Sequence, residues 1–363
     1  MMDKKLVLIS AGGTGGHMFP ARALAEELLK RGHDVALATD TRGYKFFDGM
    51  DQVERIVISS AAYKSGIMGK ASAVLSLLKG YFQSHTLLSR LKPSVVVGFG
   101  GYPSAPPVFA AQHRGIPTVL HEQNAILGLA NQMLAPKAHK IALSTENTEG
   151  IDKNRQHQCI VTGNPVREEV AALADKPYPD FNSGKIHLML VGGSLGAKIF
   201  GDAIPHAIVA LPEELRKNLF VYHQARAENL EDVRKIYEGS GVETDIRPFF
   251  ADMPACLEKT HLLVARSGAS TVAELTVAGR PAIYIPFPWH KDQQQLYNAK
   301  QVEAAGGGIV MEEKNLTANL LCAQVEDLLI NPTKLAKMAE NAKKIGIRDA
   351  AHHLADAVLA EIH

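Results

Sequence analysis

Apolar residues in this chain fall in short runs separated by stretches with helical spacing. Runs near 5–9, 35–38, 94–97, 117–120, 139–142 and 159–162 read as buried strands. A second series follows near 186–191, 219–223, 243–247, 261–264, 282–286 and 308–311. Between many of them apolar positions recur every three to four residues, as from Met18 to Lys30. The alternation predicts an α/β protein with parallel sheets covered on both faces. The strand–glycine–helix unit that opens at Lys4 starts again at Ile186, after Gly163-Asn-Pro-Val-Arg167 and a polar stretch to Gly184. Two Rossmann-like domains are therefore expected, 1–166 and 167–345, with a final helix at about 346–363 packing back on the first.

Three glycine-rich loops follow apolar strands and precede helices. They are Ile9-Ser-Ala-Gly-Gly-Thr-Gly-Gly-His17, Gly98-Phe-Gly-Gly-Tyr102 and Val191-Gly-Gly-Ser-Leu-Gly-Ala197. Glycine lets backbone N–H groups approach a ligand at the positive end of a helix. In parallel sheets ligands bind beyond the carboxyl ends of the strands, where these loops lie. Two such domains with those ends facing each other would form a cleft between a donor and an acceptor. The dinucleotide fingerprint is incomplete, because Met18 stands where a third glycine belongs. Asp40, at the end of the second strand, could still serve as a ribose-binding acid, which keeps a nicotinamide-dependent dehydrogenase open.

Several polar clusters also stand at strand ends. His17 opens a helix whose dipole disfavours the imidazolium, so it could be a general base or only a helix-terminal group. His121-Glu-Gln-Asn124 is poor core material, and a helix onward would set Asn131 on the same side as Asn124. Arg266-Ser-Gly-Ala-Ser-Thr-Val-Ala-Glu274 reads as a strand end entering a helix. The N–H groups of Ser267 to Thr271 could hold a diphosphate without metal, and Glu274 could bind ribose. In Pro286-Phe-Pro-Trp-His-Lys-Asp-Gln-Gln-Gln295, Asp292 could cap a helix and the glutamines could read sugar hydroxyls. Residues 67–82 carry an apolar stripe of Ile67, Ala71, Val74, Leu75, Leu78 and Phe82 beside Lys64, Lys70 and Lys79. Such a basic amphipathic helix lies in a membrane interface or turns its stripe to its own core.

Composition narrows this picture modestly. A chain of 363 residues suits two domains, and 46% hydrophobic with 21% charged content is that of an ordinary globular protein. The net charge of +1 hides an asymmetry, +6 over residues 1–166 and −5 over 167–363. The basic half could attract phosphates or an anionic membrane surface. Cys159, Cys256 and Cys322 form no CxxC pair, so neither zinc nor a disulfide framework is expected. No apolar run reaches membrane-spanning length, and a strand beginning by Lys4 leaves no room for a signal peptide.

Taken together the motifs closely resemble the bacterial N-acetylglucosaminyltransferases of peptidoglycan synthesis. The matching pieces are Gly12-Gly-Thr-Gly-Gly-His17, Gly100-Gly-Tyr102, His121-Glu-Gln-Asn124, Gly163-Asn-Pro-Val-Arg167, Gly192-Gly-Ser194, Arg266-Ser-Gly-Ala269, His290-Lys-Asp292 and Gln294-Gln295. The resemblance implies a GT-B fold and transfer of GlcNAc from UDP-GlcNAc to the C4 hydroxyl of MurNAc in lipid I. The product is lipid II, made with inversion, and the process serves cell-wall growth, shape and division. By motif position the donor side would comprise Thr14, Gly15, Gly16, Asn124, Arg167, Ser194, the backbone of Phe250, Ala269, Ser270, Thr271, Val272, Ala273, Glu274, Gln294 and Gln295. Tyr102, His121 and Asn131 would line the acceptor side, with His17 and Glu122 as candidate bases. The resemblance also implies peripheral attachment to the cytoplasmic face of the inner membrane through Ile67, Lys70, Leu75, Leu78, Lys79 and Phe82. It implies no cofactor, metal or nucleic acid, and leaves room for other cell-wall synthesis proteins as partners. Two departures stand out: Leu195 where the family commonly has Gln, and a lead-in to His290 one residue longer through Pro288-Trp289. Another GT-B transferase with a lipid acceptor, such as diacylglycerol, would share the donor loops.

Overall fold

The computed structural model describes residues 4–60, 67–182, 184–193 and 197–362, the side chains of 67–71 excepted. The chain separates into two compact units, Met1–Arg167 with Asp349–His363, and Glu168–Arg348.

The first unit carries seven parallel strands: β1 (Leu6–Ser10), β2 (Asp34–Thr39), β3 (Glu54–Val57), β4 (Val95–Gly98), β5 (Thr118–Glu122), β6 (Lys140–Leu143) and β7 (Cys159–Val161). Their order is β3-β2-β1-β4-β5-β6-β7. Strands β1, β4 and β5 are buried along their whole length or nearly so, as continuous apolar runs require in a doubly covered sheet. The edge strand β3, Glu-Arg-Ile-Val, escapes an apolar-run criterion because charge interrupts it. One face is covered by helix Gly15–Lys30 and the C-terminal helix Ala350–Leu359, whose Leu354, Ala355 and Val358 join its core. The return of this helix to the first unit is fastened by Arg31, which donates to Asp356 Oδ1 at 2.6 Å and to the His352 carbonyl at 3.0 Å.

The second unit repeats the plan with six parallel strands: β8 (Ile186–Val191), β9 (Leu219–Gln224), β10 (Glu243–Arg247), β11 (Leu262–Ala265), β12 (Ala282–Tyr284) and β13 (Gly308–Val310). The order is β10-β9-β8-β11-β12-β13. In each sheet the winding direction reverses next to its first strand, between β1 and β4 and between β8 and β11. Rossmann sheets bind ligands at that switch point. The loops after β1, β4, β8 and β11 are the glycine loops and the Arg266–Ala269 turn.

Candidate active site

In the first unit the loops after β1 and β4 pack on each other. A Cβ at Gly12 would stand 2.6 Å from Pro103 Cβ, so only glycine fits. Gly13 has φ +89°, and its N–H donates to Asp40 Oδ1 at 3.1 Å. The same carboxylate accepts from Gly43 N at 2.8 Å and from Arg42 Nε at 2.9 Å. Against the cost of its burial, these bonds hold the Asp40 carboxyl below the usual carboxylate range. This corrects the expectation of a ribose-binding acid: Asp40 is consumed in holding the glycine loop. Thr14 is exposed and opens helix Gly15–Lys30, which has no side-chain cap and no acid in its first turn. An anion placed at its N-terminus would meet the positive end of the helix.

His17 lies in the first turn of that helix, half-buried, beside the glycine pair after β4. A Cβ at Gly101 would meet His17 Nε2 at 3.4 Å, and one at Gly100 would meet His17 Cε1 at 3.7 Å and Asn131 Nδ2 at 3.4 Å. His17 and Asn131 therefore flank one glycine turn. Tyr102, next in the chain, is 45% exposed. His17 Nδ1 is 2.9 Å from Gln123 Oε1. Gln123 Nε2 reaches His121 Nδ1 at 2.8 Å and the His121 carbonyl at 3.0 Å, and His121 Nε2 is 3.0 Å from the Gly163 carbonyl.

Two expectations for the end of β5 need correction. His121 is fully buried with both ring nitrogens engaged, so it has no atom to offer an acceptor directly. Burial depresses its pKa to about 4, which keeps it neutral. Glu122 is likewise buried. Oε1 accepts from Asn124 N at 3.0 Å and Asn124 Nδ2 at 3.2 Å, and Oε2 accepts from Gly128 N and Asn131 Nδ2, both at 2.9 Å. With these lone pairs taken, Glu122 organises the loop instead of accepting a substrate proton. Asn124 and Asn131 do meet, but around this carboxylate: the helix runs only over Leu129–Leu134.

In the second unit, Arg266 is buried at the end of β11. It donates to the Ile285 and Pro286 carbonyls at 2.9 and 3.1 Å and pairs with Glu313 at 2.5 Å. Gln295 Oε1 accepts from Ser267 N at 3.3 Å and Phe287 N at 3.0 Å, which leaves its amide N–H groups as what the side chain can offer. Ser267 N–H is thus withdrawn from any anion. Helix Ala269–Val277 follows with no side-chain cap and no acid in its first turn. Ala269 to Glu274 are all half-buried. Helix Gln294–Ala304 starts behind Gln293 at φ +48°, and Asp292 accepts from Gln294 Nε2 at 3.3 Å. The Phe250 ring is buried, edge-on to Tyr222 and against Arg247, so only its backbone could meet a ligand. Ser194 and the neighbouring Leu195 lie outside the described residues.

Two family models match, the glycosyltransferase family 28 N-terminal domain over residues 7–143 and its C-terminal domain over 187–354. The chain is 49% identical over 359 residues to the UDP-N-acetylglucosamine--N-acetylmuramyl-(pentapeptide) pyrophosphoryl-undecaprenol N-acetylglucosamine transferase of Rhodospirillum centenum, covering 99% of this chain and 95% of that one. It is 44% identical to the protein of the same name from Caulobacter vibrioides, with 98% of each covered. It matches the crystal structure of Acinetobacter baumannii MurG with a TM-score of 0.79 and 29% identity, over 98% of this chain and 99% of that one. The chain belongs to the MurG glycosyltransferases. Its GT-B fold supplies the two Rossmann-like sheets described above.

In this MurG-family chain Gln123 lies inside the His121–Asn124 motif but has no separate signature along the chain. Neither does the Arg266–Glu313 pair or Asn298, whose Nδ2 donates to the Ser267 carbonyl at 3.1 Å. Buried polar residues at strand ends were the available signal. Arg167 stacks its guanidinium 5.7 Å from the Phe19 ring. Gly15 is buried, and a Cβ there would meet Phe19 at 2.8 Å, while Gly16 is half-buried. In helix Ile67–Leu91, Leu75, Leu78 and Phe82 are exposed by 67, 50 and 66%, and Lys79 is exposed among them. The helix packs through Ala73, Gly80, Ser84, Leu87 and Leu88, so the stripe is not a core face. The side chains of Ile67 and Lys70 lie outside the described residues, as does Lys64. No helix among the described residues is long and apolar enough to cross a membrane.

Proposed function

We propose that the chain transfers GlcNAc from UDP-GlcNAc to the C4 hydroxyl of the MurNAc unit of lipid I, giving lipid II in peptidoglycan synthesis. The observation that carries this is 49% identity, over nearly the full length, with a protein named for that transfer. In one inverting displacement, the acceptor oxygen bonds to the anomeric carbon as the bond to the UDP oxygen breaks. His17 Nε2 takes the hydroxyl proton. The charge left on the diphosphate is met by backbone N–H groups at the start of helix Ala269–Val277. Ser194, outside the described residues, belongs to the same diphosphate site in this reading. Glu274 and the Phe250 backbone hold ribose and uracil, with Ala269–Ala273 forming the wall beneath them. Gln294, Gln295 and Asn124 read the sugar, and Thr14, Gly15, Gly16 and Arg167 complete the donor side. Tyr102 faces the acceptor, and Asn131, whose Oδ1 is buried without a partner, stands behind it against the glycine turn. The scheme uses no metal or cofactor.

Lipid I is held in a bilayer, so this reading requires a surface that reaches lipid. Leu75, Leu78 and Phe82 with Lys79 supply apolar contact and attraction to an anionic surface. We place the protein peripherally on the cytoplasmic face of the inner membrane, where UDP-GlcNAc is available.

The single tryptophan, Trp289, is 78% exposed beside the His290–Gln295 segment and reports on the donor site. Titration with UDP-GlcNAc should change its emission saturably, and NADH should not compete. With lipid I the purified protein should form lipid II, and with diacylglycerol it should form nothing. Turnover of diacylglycerol but not lipid I would replace this reading with the other lipid-acceptor transferase.

A further inference from the structure

The hydrogen-bonded series that ends on His17 has only one consistent direction. The Gly163 carbonyl can only accept, so His121 Nε2, 3.0 Å away, carries a hydrogen. Neutral His121 then has a bare Nδ1. The Gln123 amide end that faces this nitrogen at 2.8 Å also faces the His121 carbonyl at 3.0 Å. Both are acceptors, so that end is the NH2, each hydrogen with its own partner. Gln123 therefore turns its oxygen to His17 Nδ1 at 2.9 Å, and an amide oxygen accepts. Two carbonyls thus fix the direction independently, one at each end of His121. Gln123 and His121 are both buried, so water does not compete for these bonds.

We infer that Gln123, backed by His121, is a positioning residue that holds the proton of neutral His17 on Nδ1 and leaves Nε2 bare beside Gly101. This rests on the reading of His17 as the base. An imidazole free in water prefers its proton on Nε2, the form that could not accept the C4 hydroxyl proton from the glycine-turn side. The bond made by one ring nitrogen decides what the other can do. A carboxylate in Gln123's place in such a series would also raise the basicity of the ring. The neutral amide sets the tautomer and adds no charge to the site. Burial keeps His121 neutral, with its pKa depressed to about 4, so the series persists throughout the neutral range.

Long-range 1H–15N correlation on the full-length protein labelled with 15N-histidine reads the tautomer, with His17 assigned by its loss in His17→Ala. Wild type should show the Nδ1–H form. Gln123→Met, similar in size but without the acceptor, should move His17 toward Nε2–H. Its kcat should fall on the order of 10- to 100-fold with KM for UDP-GlcNAc unchanged, the loss being that of the correct tautomer. Gln123→Glu keeps an acceptor toward Nδ1 and should keep the Nδ1–H form, but its other oxygen replaces the NH2 that His121 Nδ1 and the His121 carbonyl require, so its unfolding midpoint should fall. An Nε2–H signal in wild type overturns the inference with no variant needed. So does a tautomer unmoved in Gln123→Met, or one that moves while kcat stays the same. Normal turnover in His17→Ala would remove the base assignment, while the tautomer spectra would still test the lock.

Discussion

At Glu122 both carboxylate oxygens accept two N–H groups each, while His17 gives one nitrogen to Gln123 and keeps the other beside a glycine turn. A general base needs a lone pair within reach of the substrate, and this difference separates the two candidates. His17→Ala should lower turnover at saturating UDP-GlcNAc by roughly 10²- to 10⁴-fold, the usual contribution of a base. Glu122→Gln puts an NH2 against donors whichever way the amide turns. We expect it to cost about 2 kcal/mol in urea unfolding, the penalty of burying unmatched polar groups. If the variant instead unfolds like wild type and loses turnover to the same extent as His17→Ala, the roles are reversed. Both residues could be picked out in the sequence as polar groups at a strand end. Which of them is spent on structure depends on Gly128 and Asn131, six and nine positions further along.

At the scale of elements, helix Ile67–Leu91 carries apolar residues on more than one face. Its spacing alone left open which face is buried. Gly80 decides this, since a Cβ there would stand 2.1 Å from the Ser59 carbonyl oxygen. Close approach at Gly80 turns Leu75, Leu78 and Phe82 outward. Replacing these three with serine should change the unfolding midpoint little, because each is at least half exposed. Binding to anionic vesicles in a sedimentation assay should weaken at least about tenfold, given the transfer free energy of three large apolar side chains. Equal binding by the variant would show that this helix is not the membrane contact. The helix N-termini at Gly15 and Ala269 were legible as glycine-led starts after strands. The withdrawal of the Ser267 N–H was not, because it depends on Gln295, 28 positions away.

Over the whole molecule, each unit holds buried neutral histidines, His121 in the first and His223 and His261 in the second, all depressed to about 4 by burial. His223 is engaged by the Phe200 carbonyl at 2.7 Å and the Tyr237 hydroxyl at 3.0 Å. A histidine with a depressed folded pKa binds fewer protons folded than unfolded, so acid favours the unfolded chain. The stability it contributes is complete above about pH 6.5 and is lost as the pH falls toward 4, at up to about 1.4 kcal/mol per pH unit for each histidine. Thermal unfolding monitored between pH 4 and 8 should show a midpoint rising to a plateau near neutrality. His223→Gln should flatten part of that slope. A midpoint independent of pH in this range would contradict the burial argument for all three histidines.

The sequence by itself determined the α/β class, the double strand–glycine–helix plan and the carboxyl-end position of the candidate loops. These follow from local pattern, since burial on both sheet faces writes apolar runs and φ above zero writes glycine. Only the tertiary structure decided which polar side chains are spent holding loops and which keep an atom for a substrate. Asp40, His121 and Glu122 look as available as His17 when read along the chain. Their partners, Gly13, Gly163, Gly128 and Asn131, arrive through strand order and loop packing. A hydrogen bond is a relation between two positions, and no single-position pattern records it.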